Sequence, residues 1–387
     1  MYPGESKVDA LTLSAPLAGM PMVVFSHLRW TWVWQRPQQL ISRLASPGQT
    51  WFVEEPLVAA SPLPGLKSEQ VDGITRLWIE GPGPGTPPGY IMFGDPVAEG
   101  YKELLLDQLR QLDRPLVWLY TPMALDIARA LNPGLLVYDV MDDLASFKGA
   151  PESMRLRQRQ ALAEADLVFA GGRSLHRGIV RHNPDRTFLF PSGVEPEHYA
   201  GARKLRSARH RPVAGYVGVI DERLDLELVR ELALRLPDWD IQMVGPLAKI
   251  EPTSLPAAPN LHYLGARTYR DLPAVMGGFD VALMPFAMNE ATRSISPTKT
   301  LEYLAAGLPV VSTRIADVVS NFGGVVDFRD DADGFAAGCR DVLEHSVRER
   351  DGKLAPLLSR HHWDSIAAEM ANLIRESLTS RDAEESA

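Results

Sequence analysis

Short apolar runs alternate with helix-period segments along nearly the whole chain, and the alternation runs through twice. In the first pass, 22–26, 49–53, 74–79, 116–120, 135–140, 167–170 and 187–190 have the length and apolar content of buried strands. Amphipathic segments of helical length fall between several of them, at 38–44, 101–112, 124–131, 154–163 and 174–181. In the second pass the strand candidates are 213–217, 241–244, 261–263, 281–284, 310–312 and 325–326. The accompanying helix candidates are 224–236, 269–276, 298–306, 333–344 and 363–378. Strand and helix in alternation imply parallel, doubly wound α/β sheets, one for each pass.

Between the passes, 201–211 (GARKLRSARHR) is basic and lacks apolar periodicity, which predicts an inter-domain linker. The expected organisation is therefore a first domain over 1–200, a linker over 201–211 and a second domain over 212–362. A terminal helix over 363–378 should pack back toward the first domain, leaving a tail at 379–387. The stretch 81–89 (GPGPGTPPG) reads as a rigid surface loop; no helix follows its glycines, so they do not form a phosphate cradle.

Length agrees with two domains, since 387 residues exceed what one core of ordinary size holds. A net charge of -9 argues against a general nucleic-acid binder. Cys339 is the single cysteine, which excludes an intrachain disulfide and a thiolate metal cluster. The first twenty residues carry Glu5, Lys7 and Asp9 and do not resemble a signal peptide, and no apolar run approaches the length of a membrane span. The expectation is a soluble cytoplasmic protein.

The most informative chemistry lies at 296–310. Ser296 is suited to cap a helix, Pro297 to its first position and Gly307 to its C-terminal stop. Lys299 then sits in the first turn with Thr298 and Thr300, where the helix dipole and an ammonium both favour phosphate. Glu302 follows three residues on, along the same face, and a carboxylate there can accept two vicinal sugar hydroxyls. Together they suggest a nucleotide site; the competing reading is an ordinary amphipathic helix with a surface Lys–Glu pair.

Three further groups follow strand ends. After the opening strand come His27, Arg29, Trp30, Trp32 and Trp34, with Trp34 expected in the core and Trp30 and Trp32 in a sugar-binding cleft. After 135–140 come Asp142 and Asp143, either of which could act as a general base on an acceptor hydroxyl; Asp142 equally suits the N-cap of the next turn. After 213–217 comes Arg223, a guanidinium suited to the same phosphates as Lys299. The surrounding GYVGVIDER matches neither a dinucleotide fingerprint nor a Walker loop.

PTKTLEYLAAGLPVVST (297–313), preceded by DVALMPF (280–286), resembles the nucleotide-sugar domain of GT-B glycosyltransferases, especially family 4 and its relatives. FPSGVEPEHY (190–199) is similar to that family's Pro-Asn-Gly-Val-Asp junction, with Ser192 in place of Asn. HLRWTWVWQRPQQL and YDVMDD resemble a bacterial subgroup associated with exopolysaccharide and cell-envelope assembly. The resemblance implies a GT-B fold, two Rossmann-like domains facing across a cleft. It implies transfer of a sugar, with retention at C1, from a nucleotide diphosphate, UDP by preference, to a glycan or lipid-linked acceptor. Lys299, Arg223, Ser296, Thr298, Thr300 and Glu302 would hold the donor nucleotide, and His27, Arg29, Trp30 and Trp32 the acceptor.

One departure stands out. The family carries Glu, seven residues, then Glu; Glu302 is the second, but Ser294 occupies the first position, which usually meets the donor sugar. Glu290, Arg293 and Ser294 are the candidates for that role here. No metal is expected where protein cations neutralise the diphosphate, and no cofactor beyond the nucleotide-sugar co-substrate. A GT-B nucleotide-sugar epimerase and a non-catalytic sugar- or nucleotide-binding protein are the alternatives. Arg155, Arg157 and Arg159 suggest either a solvated helix face or a peripheral membrane contact.

Overall fold

The computed structural model describes residues 17, 19–60, 63–82, 91–147, 150–205, 210–293, 295–344 and 348–385. The chain divides into two compact units. The first takes the described residues up to Gly171, then Leu175–Phe190 and those from Asp364 on; the second takes Pro191–Trp363 with Gly172–Ser174.

The first unit carries β1 (Met22–Ser26), β2 (Thr50–Glu54), β3 (Leu57–Val58), β4 (Gly65–Val71), β5 (Ile74–Gly81), β6 (Leu116–Leu119), β7 (Leu135–Val140), β8 (Leu167–Ala170) and β9 (Thr187–Leu189). They form one sheet whose central order is β5-β2-β1-β6-β7-β8-β9, all parallel. β1, β6, β7 and β8 are buried at every position, which is why they read as unbroken apolar runs. β1 lies between β2 and β6, so chain direction across the sheet switches there.

β4 was not expected, because its Lys67-Ser68-Glu69-Gln70 stretch is polar and exposed. It pairs antiparallel with β5, and the Val71–Ile74 register closes a two-residue turn. Asp72 and Gly73 both take positive φ (49° and 81°), as such hairpin turns demand.

The second unit carries β10 (Val213–Val217), β11 (Asp240–Val244), β12 (Leu261–Gly265), β13 (Val281–Met284), β14 (Val310–Ser312) and β15 (Asp327–Phe328). Its sheet is parallel, in the order β12-β11-β10-β13-β14-β15, and switches between β10 and β13. The strand expected at 325–326 falls two residues later. Val325 and Val326 instead close the preceding helix, both donating their N–H to the Phe322 carbonyl.

Two boundaries differ from expectation. The units divide at Phe190/Pro191 rather than within 201–211. Residues 201–205 form a 3-10 turn whose Ala202 is buried in the second core, and 206–209 lie outside the described residues, as does most of 81–89. The final helix, Trp363–Glu385, is longer than 363–378, and from Asp364 it belongs to the first unit. Arg43 reaches Asp364 at 2.5 Å and Arg381 reaches Asp166 at 2.6 Å within that unit.

Candidate active site

In open α/β sheets, ligands bind outside the strand carboxyl ends where the order switches. In the second unit that place is the loops after β10 and β13. The loops are joined: Ala287 N–H donates to Arg223 O, and Asp225 N–H to Pro285 O, both at 2.9 Å.

The helix Lys299–Ala305 starts beside them, later than the sequence suggested. Thr298, not Ser296, is the N-cap residue, and its carbonyl accepts from Glu302 N–H at 3.1 Å. The C-terminal stop is where it was expected. Gly307 has φ +69°, Gly307 N–H bonds Leu304 O and Leu308 N–H bonds Tyr303 O, each at 2.9 Å, which is a Schellman closure.

Lys299 Nζ stands 3.9 Å from Glu302 Oε2, a loose pair. Glu302 is 8% exposed, and among the described residues its buried Oε2 has no hydrogen-bond partner. Buried carboxylate oxygens are ordinarily satisfied, so this one marks a place where a ligand hydroxyl fits. Three buried tyrosines lie within electrostatic reach of the carboxylate. Burial, with the charge of Glu302 added, pushes the phenols of Tyr199, Tyr216 and Tyr303 upward and keeps them protonated. Gly218, at the end of β10, gives Lys299 its space: a Cβ there would stand 2.6 Å from Lys299 Cε.

The remaining donor candidates are placed differently. Thr300 is fully buried and its hydroxyl donates to Met284 Sδ at 3.3 Å, so it faces the core rather than a phosphate. Arg223 is gripped by Asp221, with Nε 3.0 Å from both carboxylate oxygens and Nη2 2.7 Å from Oδ2. Its charge is thereby largely balanced within its own loop. Ser296 and Thr298 are half-buried, and Glu290 and Arg293 are exposed on the turn after β13. Ser294 lies outside the described residues.

In the first unit the tryptophan assignment fails at Trp30. Trp30, expected in a cleft, is 2% exposed, packs edge-on against Phe52 and Trp34, and donates from Nε1 to Asp72. Trp32 is 45% exposed and Trp34 is half-buried. Arg29 pairs with Glu54 at 3.0 Å; Glu54 also holds Arg76 at 2.6 Å and the Trp30 N–H at 2.8 Å. These contacts tie Arg29 and Trp30 into the fold, while His27 is half-buried and Trp32 exposed.

Asp143 precedes the turn Leu144–Ser146 without a side-chain cap bond, its Oδ2 accepting from Ser146 Oγ at 2.7 Å, while Asp142 is half-buried. The buried carboxylate of this region is Asp139, inside β7, which sequence reasoning passed over. It holds Arg36 through contacts of 2.9–3.0 Å, and Arg36 Nη1 also reaches Phe190 O at 2.8 Å. Burial raises the Asp139 carboxyl while Arg36 opposes the rise. An aspartate inside an otherwise apolar strand was the available signal, because such a group demands a partner. Of the three arginines in the helix Glu152–Glu164, Arg155 and Arg159 are exposed and Arg157 is bonded to Asp126.

Residues 211–345, which carry Arg223, Lys299 and Glu302, match the family described as Glycosyl transferases group 1. The chain contains a group 1 glycosyltransferase domain. The protein of Bacillus subtilis (strain 168) named as a teichuronic acid biosynthesis glycosyltransferase, TuaH, is 29% identical over 165 residues. That alignment covers 40% of this chain and 42% of TuaH, less than half of either. Solved glycosyltransferases share the fold over a wider span. Sucrose-phosphate synthase from Thermosynechococcus elongatus superposes with a TM-score of 0.69 at 14% identity, covering 93% of this chain and 100% of that one. Anabaena HepE in complex with UDP-glucose gives 0.67 at 13% identity, covering 92% and 100%. The fold is thus of the GT-B class, and the switch point of the glycosyltransferase domain is where Lys299 and Glu302 stand.

Proposed function

We propose that the protein transfers a sugar from a UDP-sugar to a hydroxyl of a glycan or lipid-linked acceptor, in the assembly of an envelope or extracellular polysaccharide. The observation that carries this reading is Glu302, buried with an unsatisfied Oε2 beside Lys299, at the switch point of a glycosyltransferase domain. Glu302 accepts the ribose hydroxyls. Lys299 faces the diphosphate, where negative charge builds as the bond from sugar C1 to the leaving oxygen breaks. Arg223 adds a weaker positive field, since Asp221 balances much of its charge.

The acceptor hydroxyl forms the new bond to C1 and gives up its proton, with Asp142 or Asp143 as the candidate to receive it. Retention at C1 and membership of family 4 belong to the same reading and rest on the sequence resemblance; independence of metal rests on Lys299 and Arg223 neutralising the diphosphate. Anabaena HepE has been seen with UDP and with UDP-glucose, which favours UDP as the nucleotide here.

The test is a panel of UDP- and GDP-sugars with Lys299→Ala and Glu302→Ala, read by nucleotide release and thermal shift. Lys299→Ala should lower kcat about a hundredfold to a thousandfold, the usual effect of removing one charge-stabilising donor. Glu302→Ala should raise the donor KM more than it lowers kcat. Donor binding unchanged in both variants would overturn the assignment.

A further inference from the structure

The helix Lys299–Ala305 begins without a side-chain cap, which leaves its start to be fixed by contacts from elsewhere in the fold. Gly172 lies against that start. A Cβ added at Gly172 would stand 2.8 Å from Ser296 Cβ and 2.5 Å from Asp317 Oδ2, so only a glycine lets the backbone approach this closely. Gly172–Ser174 belong to the second unit, although the residues on either side of them in sequence belong to the first.

The helix Ala316–Phe322, which follows β14, holds this segment in place. Ser174 donates to Asp317 Oδ1 twice, from its N–H at 3.0 Å and from its hydroxyl at 2.6 Å. One turn on, Asn321 Oδ1 accepts from Arg173 Nε at 2.7 Å. Asp317 is 1% exposed, and a carboxylate buried so deeply is costly unless hydrogen bonds satisfy it. The same bonds serve Ser174, which stands in the first turn of the helix Arg173–Ile179 after a glycine with no side chain to cap it. Bonds to an ionised acceptor are about twice as strong as neutral ones. Capping that helix accounts for Ser174, but not for Gly172 being pressed onto Ser296.

We infer that Asp317 and Ser174 are positioning residues for Lys299: their bonds seat Gly172 against Ser296 and so fix the turn at 296–298 from which Lys299 is presented to the donor diphosphate. This rests on reading Lys299 as the diphosphate-binding group. Lys299 is the first residue of its helix, so its place follows that of the three residues before it. With the Ser174 bonds lost, 296–298 gains the freedom that an uncapped start allows. A small displacement of a charged group is then enough to weaken its hold on the ligand.

The test is Ser174→Ala and Gly172→Ala in the full chain, each alone and combined with Lys299→Ala, with UDP affinity measured by calorimetry. Ser174→Ala should weaken UDP binding roughly tenfold, as loss of a hydrogen bond to a charged group does. Gly172→Ala, which pushes on Ser296 directly, should weaken it at least as much. Neither should add more than about twofold in the Lys299→Ala background, because the three residues act on one contact. The control is Asn260→Ala. Asn260 is buried before the amino end of β12, where its amide donates to the carbonyls of Ala233, Leu236 and Trp239. This variant should lower the thermal midpoint and leave UDP affinity unchanged. Equal UDP affinity in wild type, Ser174→Ala and Gly172→Ala, with Lys299→Ala impaired, would overturn the role of Asp317 and Ser174 alone. So would losses that multiply in full with Lys299→Ala, or a loss in Asn260→Ala equal to that in Ser174→Ala. Unchanged UDP affinity in Lys299→Ala would overturn the diphosphate assignment itself, and this inference with it.

Discussion

Glu55 follows β2 into the interior of the first unit and is only 3% exposed. Burial pushes its carboxyl up to about 8; Arg29 and the Phe93 N–H work against that rise, and Asp95 adds to it. The folded protein therefore keeps this proton at neutral pH, while the unfolded chain releases it from about 4.5 upward. The resulting stabilisation is fully present below pH 4.5 and is lost progressively as pH rises through 8, each unit of the shift being worth about 1.4 kcal/mol. Glu55→Gln keeps the shape and removes the titration. Urea denaturation at pH 5.5 and 8.5 should show wild type losing more stability than the variant over that interval. Parallel losses would mean that the carboxyl ionises as freely in the fold as outside it. Residues of this kind are hard to read from sequence. Glu54 looks no different from Glu80 until the strand ends are packed and its partner, Arg76, arrives from another strand.

Among the elements, the regular ones were legible because their patterns are local. β7, β8, β10, β13 and β14 fall where the apolar runs predicted. The β4–β5 hairpin was missed as a strand, yet its Asp72-Gly73 turn was written in the chain; the polar strand hid it. The helix Lys299–Ala305 starts after Thr298, whose side chain makes no capping bond, so cap chemistry of the kind read at Ser296 did not set its start. The close approach of β10 and β11 at their carboxyl ends was not legible at all. A Cβ on Gly245 would stand 1.8 Å from the Gly218 carbonyl oxygen, and Gly218 in turn borders Lys299. Gly245→Ala should therefore cost about 1–3 kcal/mol, as overpacking does, and weaken UDP binding in parallel. Gly201→Ala, where nothing lies within 4 Å of the added carbon, is the control expected to be near neutral. Equal melting temperatures for the two variants would contradict the close approach.

The whole molecule repeats one plan, a parallel sheet with a direction switch, in two units with different insertions. The second unit keeps to the group 1 glycosyltransferase pattern, whereas the first carries the tryptophan loop and the Glu54–Arg29–Arg76 cluster. Among the described residues no helix is long and apolar enough to cross a membrane. At this scale the proposal of metal independence makes its own prediction. If Lys299, aided by Arg223, carries the charge of the leaving diphosphate, turnover should survive EDTA at nearly its full rate. Abolition by EDTA, restored by Mn²⁺, would show that a cation takes that charge instead.

The sequence by itself determined the doubly wound class, most strand positions, the Schellman stop at Gly307 and the Lys299–Glu302 spacing, because each depends on neighbours within about one helical turn. Only the tertiary structure decided which polar groups were already engaged. Thr300 is satisfied by Met284, Arg29 by Glu54 and Arg36 by Asp139, partners 16, 25 and 103 residues away. A side chain's capacity to bond is a property of its residue type. Whether that capacity is left over for a ligand depends on what the fold brings beside it, and at Glu302 the fold leaves it over.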